Sequence, residues 1–404
     1  MRALKIELEK YLNFRQKLNS NSESSSNPLD VIELDKDFHE PNLINDDWIK
    51  IRVRLGGICG TDLSFIGFKS SFVLSNFCSF PLVPGHEVVG VVEEIGGNVD
   101  NFSIGDRVIL DENLGCKVRD LELCPSCKKG NYNLCENYDK GIIAPGAITG
   151  FCRDTGGGWG ESVIAHKFQV FKIPDNLSYE EALIAEPLAC AIHAVSKELP
   201  LNDENCVVVG CGTIGLCAIA ALKALGRCNL IALAKYPFQQ ELAEKLGADE
   251  VFLIKKNHHL KKIGKELGSR IVNPPMELPY LVGGGADIVI DSVGNESSLT
   301  NSFRFVKSSG TVILLGYPSY INIDWTPLMA KEVNVKTSNI FSYTHIKGKK
   351  RRTLEIALEL LASRAIDARD FITHKFSIEN YKEALVTAFN KSKNNAIKVA
   401  FKFP

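Results

Sequence analysis

A cysteine and a histidine with the surroundings of metal ligands stand out early in the chain. Cys59 lies within the sequence GICGTD, and His86 and Glu87 end the sequence PGHE. Thiolate, imidazole and carboxylate are the side chains that bind zinc in catalytic sites, where one coordination position usually stays open. Either residue alone is more often a buried core residue, but the pair, in these glycine-punctuated turns, predicts a catalytic zinc site. The hydroxyl of Thr61 could pass on a proton.

A further four cysteines have the spacing of a structural metal site. Cys124 and Cys127 form a C-x-x-C pair, and seven residues separate the pair from Cys116 on one side and from Cys135 on the other. Four thiolates close a tetrahedron around zinc and leave no open position. Residues 128–134 are rich in Lys, Gly and Asn and would have little core without a metal, so we expect the metal to hold this lobe. The alternative is four unrelated thiols.

A glycine motif later in the chain predicts a dinucleotide site. Gly210, Gly212 and Gly215 form G-x-G-x-x-G, with Thr213 and Ile214 inside it, between an apolar strand and an apolar helix. The first glycine permits a tight turn, the second lets the backbone approach a pyrophosphate, and the third lets helix and strand pack closely. The pyrophosphate would lie at the helix N-terminus. In this setting an ordinary strand-to-helix turn is the weaker alternative.

One carboxylate lies in an otherwise apolar stretch. Residues 177–185 have a helical pattern that ends at Glu186, the first residue of the sequence EPLA. A buried carboxylate is costly unless it is paired or bound to a metal. We therefore expect Glu186 at or next to the catalytic zinc, with a helix cap or a salt bridge as the alternative. His193 follows in an apolar helix and is better interpreted as a core or interdomain histidine.

Length and composition narrow the class of protein. The chain has 404 residues, enough for two domains, with 45% hydrophobic and 24% charged residues. A net charge of −1 gives no indication of a nucleic-acid partner. We find no apolar run long enough to span a bilayer and no secretory signal, so we expect no membrane partner and a cytoplasmic protein. There, twelve cysteines indicate metal ligands and free thiols rather than disulfides.

Two sequence patterns frame these motifs. Up to about residue 190, short alternating segments such as 48–55 and 88–95, separated by Gly, Pro and Asn, predict a β-rich, barrel-like domain. From about Cys206, strands alternate with helices, which predicts a parallel, doubly wound sheet. The Ser-rich residues 20–28 are expected to form a flexible surface loop. The strands predicted in the second domain are 207–209, 230–233, 251–254, 286–291 and 310–315.

Three later stretches complete the pattern. Residues 255–270 are basic and polar, and the proline- and glycine-rich residues 272–285 are expected to form an inserted loop. The pattern changes from about Lys336. Two amphipathic helices and a final strand are predicted beyond it, at 353–362, 381–390 and 398–403.

These motifs together resemble those of the zinc-dependent medium-chain dehydrogenases, the family of alcohol, polyol, threonine and glucose dehydrogenases. GICGTD, GHE and the cysteine lobe carry the resemblance, and EPL matches the polyol, threonine and glucose branch. The resemblance implies a GroES-like catalytic domain over residues 1–190 and 336–404, and a Rossmann domain over residues 191–335. It also implies an active site in the cleft between the domains and a homodimer or homotetramer.

The resemblance implies a zinc-dependent oxidoreductase. Such an enzyme moves a hydride between NAD(P) and the hydroxyl-bearing carbon of an alcohol, polyol or sugar-like substrate. Two zinc ions per chain are implied, one structural and one catalytic. Cys59 and His86 are the expected catalytic ligands, and either Glu87 or Glu186 is the third. EPL favours polyhydroxy or sugar-like substrates.

The proton relay departs from the family pattern. Thr61 would begin it, but Ser64 stands where alcohol and polyol dehydrogenases often have a histidine. The relay must then leave through water or a cofactor ribose. Two rival classes remain, a zinc-free quinone or enone reductase on the same fold and a non-enzymatic zinc-dependent binding protein.

The second strand of the nucleotide domain bears on cofactor choice. NAD-dependent enzymes of this fold usually place an acidic residue about 20 residues past the glycine motif, where it binds the ribose hydroxyls. Here Ala234 occupies that position and Lys235 follows it. A cation attracts a 2′-phosphate, so the sequence favours NADP over NAD. The alternative is that Lys235 points to solvent and either cofactor is used.

Overall fold

The chain forms two compact units, Met1–Glu186 with Phe371–Pro404, and Pro187–Asp370. The expected domain boundaries at residues 190 and 336 stay a prediction, because compactness alone does not define a functional domain. Among the described residues, no helix has the length and apolar character needed to cross a membrane. The computed structural model describes residues 1–19, 27–254, 258–273, 279–346 and 348–404.

The strands of the first unit follow the predicted alternation. In the strand at 48–57 the side chains of Ile49, Ile51 and Val53 are buried, whereas Arg52 between them is exposed. The predicted strands at 48–55 and 88–95 are confirmed. The strands before residue 187 are β1 (Ala3–Ile6), β2 (Ile32–Asp35), β3 (Trp48–Gly57), β4 (Val88–Ile95), β5 (Arg107–Leu110), β6 (Ser162–His166) and β7 (Val170–Lys172).

The helices of this part of the chain differ from the prediction at two places. Residues 8–19 form a helix that the sequence did not lead us to expect. The single helix predicted to end at Glu186 is wrong, because one helix ends at Leu183 and another begins at Ala185. Pro187 has no N–H and fits the first turn of the new helix, where the backbone N–H groups lack partners within the helix. The helices are α1 (Leu8–Asn19), α2 (Gly60–Ile66), α3 (Pro125–Lys128), α4 (Tyr179–Leu183) and α5 (Ala185–Val195).

Short 3₁₀ helices connect these elements. One begins at Pro28, where the Asn27 side chain accepts a hydrogen bond from the Leu29 N–H. Most of the loop expected at 20–28 lies outside the described residues. The 3₁₀ helices are Pro28–Val31, Phe72–Phe77, Tyr132–Leu134, Lys167–Gln169 and, later in the chain, Ile378–Asn380.

The second unit contains the predicted parallel sheet. Its strands are β8 (Glu204–Val209), β9 (Cys228–Ala234), β10 (Glu250–Leu253), β11 (Arg270–Val272), β12 (Tyr280–Val282), β13 (Ala286–Asp291), β14 (Val306–Leu314), β15 (Asn334–Thr337), β16 (Tyr343–Ile346) and β17 (Lys349–Arg352). Six of them pair in parallel in the order β10-β9-β8-β13-β14-β15. This is the doubly wound order, with two halves that meet at β8 and β13.

Two stretches of the second unit are more regular than predicted. The polar stretch 255–270 contains a helix, whose residues Leu260 and Ile263 are buried one turn apart. The inserted loop expected at 272–285 is wrong in part, because Val272 ends β11 and residues 280–282 form β12, which pairs antiparallel with β11. Residues 274–278 lie outside the described residues. The helices are α6 (Thr213–Leu225), α7 (Pro237–Lys245), α8 (His258–Glu266), α9 (Glu296–Phe305), α10 (Thr326–Ala330) and α11 (Thr353–Ala362).

The chain then returns to the first unit. The returning elements are β18 (Ile372–Phe376), α12 (Tyr381–Phe389), α13 (Lys391–Asn394) and β19 (Lys398–Lys402). β19 pairs antiparallel with β3, and the sheet runs β18-β19-β3-β4-β5-β7 with β6 also on β3. The predicted helices at 353–362 and 381–390 and the final strand are confirmed.

Candidate active site

The end of β3 places Cys59 at the start of α2. Cys59 is the N-cap of this helix, and its N–H donates to Asp62 Oδ2 at 2.9 Å. The Thr61 hydroxyl lies 3.7 Å from Cys59 Sγ and is exposed. Gly57 has to be glycine, because a Cβ there would lie 1.8 Å from Glu87 Oε2. The close approach of β3 to the GHE turn therefore brings the two predicted ligand segments together.

His86 and Glu87 lead into β4 and are almost fully buried. The ligand atoms of Cys59, His86 and Glu87 all lie within 4.8 Å of one another, which brings a thiol, an imidazole and a carboxylate together. His86 Nδ1 lies 3.4 Å from Asp62 Oδ1, and such a carboxylate fixes the orientation of a ligand imidazole. Burial alone would lower the pKa of His86, but the negative charges of Asp62 and Cys59 raise it.

A lysine that the sequence analysis did not single out completes this group. Lys398, on β19, is 3% exposed and forms an ion pair with the buried Glu87 carboxylate. Burial alone would lower the pKa of Lys398, but the charge of Glu87 raises it. The sequence signal was a single lysine inside the apolar final strand AIKVAF, but nothing local connects it to Glu87.

Glu186 lies in a second, neighbouring group. It sits in the first turn of α5, is 3% exposed, and has its carboxylate within 4.8 Å of that of Glu112. Burial and the charge of Glu87 raise the pKa of Glu186 to about 7. Glu112, which follows β5, was also missed by the sequence analysis. His193 is buried within the same helix, and burial lowers its pKa to about 4.

The four cysteines of the lobe come together as predicted from their spacing. The sulfur atoms of Cys116, Cys124, Cys127 and Cys135 all lie within 4.8 Å of one another. Backbone N–H groups point at these sulfurs, as from Cys124 to Cys116 Sγ at 3.4 Å and from Cys127 to Cys124 Sγ at 3.4 Å. A hydrogen bond from Cys127 lowers the pKa of Cys135 to about 5. Hydrogen-bond donors around a thiol cluster stabilise thiolates, which are the metal-binding form.

A buried arginine stabilises the segment of seven residues between Cys116 and Cys124. Arg119 is 0% exposed and donates to five backbone carbonyls. These carbonyls belong to Leu114, Lys140, Ile143, Ala144 and Gly146. The side chain thus ties the Cys116 loop to the segment that leaves the lobe, and it satisfies carbonyl groups that would otherwise be buried without partners.

In the second unit, the glycine motif forms the turn between β8 and α6. Gly210 has φ +96°, and a Cβ there would lie 2.3 Å from Val293 Cγ2. A Cβ at Gly215 would lie 1.9 Å from the Gly210 carbonyl oxygen, so helix and strand pack too closely for a side chain. Gly212 caps α6 without a side chain, and a Cβ there would meet nothing within 4 Å. Thr213 and Ile214 form the first turn of α6. This helix N-terminus suits a pyrophosphate.

Lys235 follows the buried Ala234 at the end of β9. Its side chain is exposed, and Nζ lies 5.5 Å from the centre of the Tyr236 ring. Its backbone N–H donates to Gln239 Oε1 at 3.2 Å. The position next to the strand end thus carries a cation and no carboxylate.

Two family models match the chain. The model of the alcohol dehydrogenase GroES-like domain matches residues 45–175, and the model of the zinc-binding dehydrogenase matches residues 213–363. The first range includes Cys59, His86 and the cysteine lobe. The second begins inside the glycine motif.

Similar proteins cover most of the chain. Sorbitol dehydrogenase of Bacillus subtilis (strain 168) is 29% identical over 360 residues, which are 88% of this chain and 90% of the relative. L-Idonate 5-dehydrogenase of Vitis vinifera is 30% identical over 356 residues, which are 87% of each chain. The solved structure of a zinc-binding dehydrogenase from Sinorhizobium meliloti 1021 bound to NADP is 25% identical, with a TM-score of 0.70 over 92% of this chain and 95% of that one.

Proposed function

Because this chain belongs to the zinc-dependent medium-chain dehydrogenase family, we propose that Cys59, His86 and Glu87 bind its catalytic zinc. The protein is an oxidoreductase that transfers a hydride between NAD(P) and the hydroxyl-bearing carbon of an alcohol or polyol. The observation that carries the zinc assignment is a group made of a half-buried thiol, a buried imidazole and a buried carboxylate, with ligand atoms within 4.8 Å of one another. This donor set suits zinc.

Glu87 is the better candidate for the third ligand. Its carboxylate lies in the same group as Cys59 and His86, whereas the Glu186 carboxylate groups with Glu112. The ion pair with Lys398 holds Glu87 in place and balances part of the negative charge. Glu186 is then a neighbour of the catalytic zinc and not its third ligand.

The remaining residues of the site orient the zinc ligands and carry the substrate proton away. When bound, zinc makes a substrate hydroxyl more acidic, and the nicotinamide accepts the hydride. The carboxylate of Asp62, 3.4 Å from His86 Nδ1, favours an orientation of the ring in which Nδ1 faces it. The Thr61 hydroxyl, 3.7 Å from Cys59 Sγ and exposed, begins the proton relay. Since Ser64 replaces the usual histidine, the proton leaves through water or a cofactor ribose.

A second, structural zinc is proposed for the lobe, which gives two zinc ions per chain. Cys116, Cys124, Cys127 and Cys135 offer four sulfur atoms and no open position. The nucleotide is proposed to bind at Gly210, Gly212, Thr213, Ile214 and Gly215 at the start of α6. These groups lie in separate units, so each can be tested alone.

NADP is the proposed cofactor. Ala234 offers no carboxylate to the ribose hydroxyls, and Lys235 beside it is exposed and carries a positive charge. A lysine is a point charge rather than a bidentate fork, so the expected preference is moderate.

The proposed substrate is a small polyhydroxy or sugar-like alcohol, as EPL and the named relatives suggest. We place the protein in the cytoplasm, without nucleic-acid or membrane partners. A homodimer or homotetramer is proposed, and the second unit offers a surface for it. The sheet ends at the edge strand β15, and the preceding segment exposes Tyr320, Trp325 and Met329 at 78%, 58% and 71%.

The test of the catalytic site is Cys59→Ala, with metal analysis. We expect this variant to lose turnover and one zinc per chain, while the fold and nucleotide affinity stay intact, because an open catalytic site contributes little to folding. Cys78→Ala, at a buried thiol of the same unit, is the matched control and should keep both turnover and zinc. Zinc content is measured by mass spectrometry and NAD(P)H binding by fluorescence.

Each rival class has its own outcome in this experiment. Retained activity with unchanged zinc in Cys59→Ala would overturn the proposed site. One structural zinc in the parent, with nucleotide binding, would favour the zinc-free reductase. A parent that binds zinc but no nucleotide would favour the non-enzymatic binding protein.

A further inference from the structure

A buried carboxylate that the proposed mechanism does not use lies beside the catalytic centre. Glu112 is 1% exposed, and its Oε2 atom has no hydrogen-bond partner among the described residues. The adjacent Asp111 is equally buried, but it accepts hydrogen bonds from the Tyr132 hydroxyl at 2.9 Å and from Asn113 Nδ2 at 2.7 Å. A buried carboxylate oxygen without a partner is costly, so Glu112 requires a partner of another kind.

One group close to Glu112 is itself a carboxylate. The oxygens of Glu112 and Glu186 lie within 4.8 Å of each other, and both side chains are buried. Two such groups repel unless a proton or a cation lies between them.

The neighbouring positive charges are already engaged. Lys398 pairs with Glu87, and His86 faces Asp62. Lys391 is partly buried, and the negative charges that act on it are those of Cys59 and Glu87. Among the described residues, the proposed catalytic site thus has more buried carboxylates than buried cationic side chains. A bound divalent cation would neutralise part of this excess negative charge.

We propose that Glu112 is a further carboxylate of the catalytic metal site and acts on the metal together with Glu186. The inference rests on the proposed zinc site at Cys59, His86 and Glu87. A bound cation satisfies the unpartnered Glu112 oxygen and removes the repulsion between the two carboxylates. The added oxygen donors make the site bind zinc more tightly and accept a harder cation such as Mn²⁺ more readily than a thiolate-rich site does.

The test is Glu112→Gln, which keeps the shape of the side chain and removes its charge. Parent and variant are compared for zinc affinity by competition with a chromophoric chelator, and we expect a loss of roughly 10- to 100-fold, the range for groups that support metal ligands. The Mn²⁺ affinity should fall more than the zinc affinity. The visible absorption bands of the Co²⁺-substituted protein should shift. Glu122→Gln, the same change at an exposed site, is the control and should alter none of these.

An unchanged zinc affinity together with an unchanged Co²⁺ spectrum in Glu112→Gln would overturn the inference. If Glu112→Gln does not fold, Glu112→Ala, which also removes the carboxylate, replaces it, and the same two measurements decide in the same way. Cys59→Ala, measured in parallel, separates the two hypotheses. If it loses zinc while Glu112→Gln binds zinc like the parent, only the role of Glu112 fails. If it loses no zinc, the proposed catalytic site itself fails.

Discussion

At the scale of single residues, Lys398 and Lys235 each place a positive charge at a proposed site, and their environments give them different roles. Lys398 is buried against Glu87, whereas Lys235 is exposed at the end of β9. A buried ion pair leaves an uncompensated charge when one partner is removed, which affects stability. Removal of an exposed charge changes the folding stability little. Its main effect is on the binding of ligands that contact it.

For Lys398→Met we expect a metal-dependent loss of stability. Without metal, Glu87 stays buried and unpaired, and the variant should lose about 3–5 kcal/mol of unfolding free energy. Zinc at the neighbouring ligands should restore most of this loss. Denaturant unfolding with zinc and with a chelator measures both values. The double variant Lys398→Met/Glu87→Gln should recover the metal-free stability, and equal losses with and without zinc would contradict the prediction.

For Lys235→Ala we expect a selective loss of efficiency with NADP. The parent should have the higher kcat/KM with NADP, and removal of the cation should affect only the cofactor that has a 2′-phosphate. Steady-state kinetics with both cofactors on the best substrate measure this preference. A preference of about tenfold for NAD in the parent, equivalent to 1.4 kcal/mol, would refute the proposal. Lys245→Ala, at an exposed lysine of α7, is the control.

The sequence alone was enough to propose Cys59, His86 and Glu87 as zinc ligands, because each lies in a short glycine-containing motif that can be recognised locally. It could not find Lys398, which contacts Glu87 from 311 positions further along the chain. Glu112 was missed for a related reason, since a glutamate at a strand end is usually exposed. Only the pairing of β19 with β3 and the packing of α5 reveal these contacts.

At the scale of elements, the cysteine lobe has little regular structure for its size. Between Cys116 and Cys135 the described elements are one helix of four residues and one 3₁₀ helix of three. The bonds from Arg119 and the N–H groups around the sulfurs hold the loops. We therefore expect the proposed zinc to supply much of the folding free energy of this lobe.

Cys127→Ser should therefore lower thermal stability and zinc content before it alters chemistry. Removing one of four thiolates opens the closed site, and the melting temperature should fall while residual activity persists at low temperature. Calorimetry and metal analysis are the measurements. Cys152→Ser, at a buried thiol outside the cluster, is the control. A variant that keeps all its zinc and melts with the parent would show that the lobe is not a metal site.

The sequence predicted the helices and strands that have a clear hydrophobic periodicity. It did not predict those that depend on tertiary packing. The strand at 88–95 and the helix at 353–362 match the structure residue for residue, because alternation and amphipathic spacing identify them. Helix α8 was missed, since its many charged residues hide the buried Leu260 and Ile263. The break before Ala185 was missed because the apolar pattern continues through it, and the constraint comes from Pro187.

At the scale of the whole molecule, the second unit presents a strand edge that pairs with no other strand of the described residues, beside exposed apolar side chains. β15 ends the sheet order, and its Val335 is 40% exposed. Unpaired edges are normally covered or blocked by charge. A second copy of the chain would cover this one and bury the aromatic residues that precede it.

Trp325→Asp combined with Met329→Asp should yield a monomer. Buried charge at the proposed interface opposes association, and light scattering measures the mass. Ile104→Asp changes a residue that is 70% exposed in the first unit and should leave the assembly intact. An unchanged oligomer in the double variant would place the interface elsewhere.

The pairing of Lys398 with Glu87 also has a consequence for synthesis of the protein. Translation produces Cys59, His86 and Glu87 early, but the ammonium group that balances Glu87 comes 311 residues later. Until residue 398 has left the ribosome, a nascent chain carries an incomplete ligand group with uncompensated negative charge. Any stalled product that stops before β19 also leaves β3 without one neighbouring strand. Such fragments should be open to chaperones and proteases, so completion of the catalytic centre coincides with completion of the sheet that supports it.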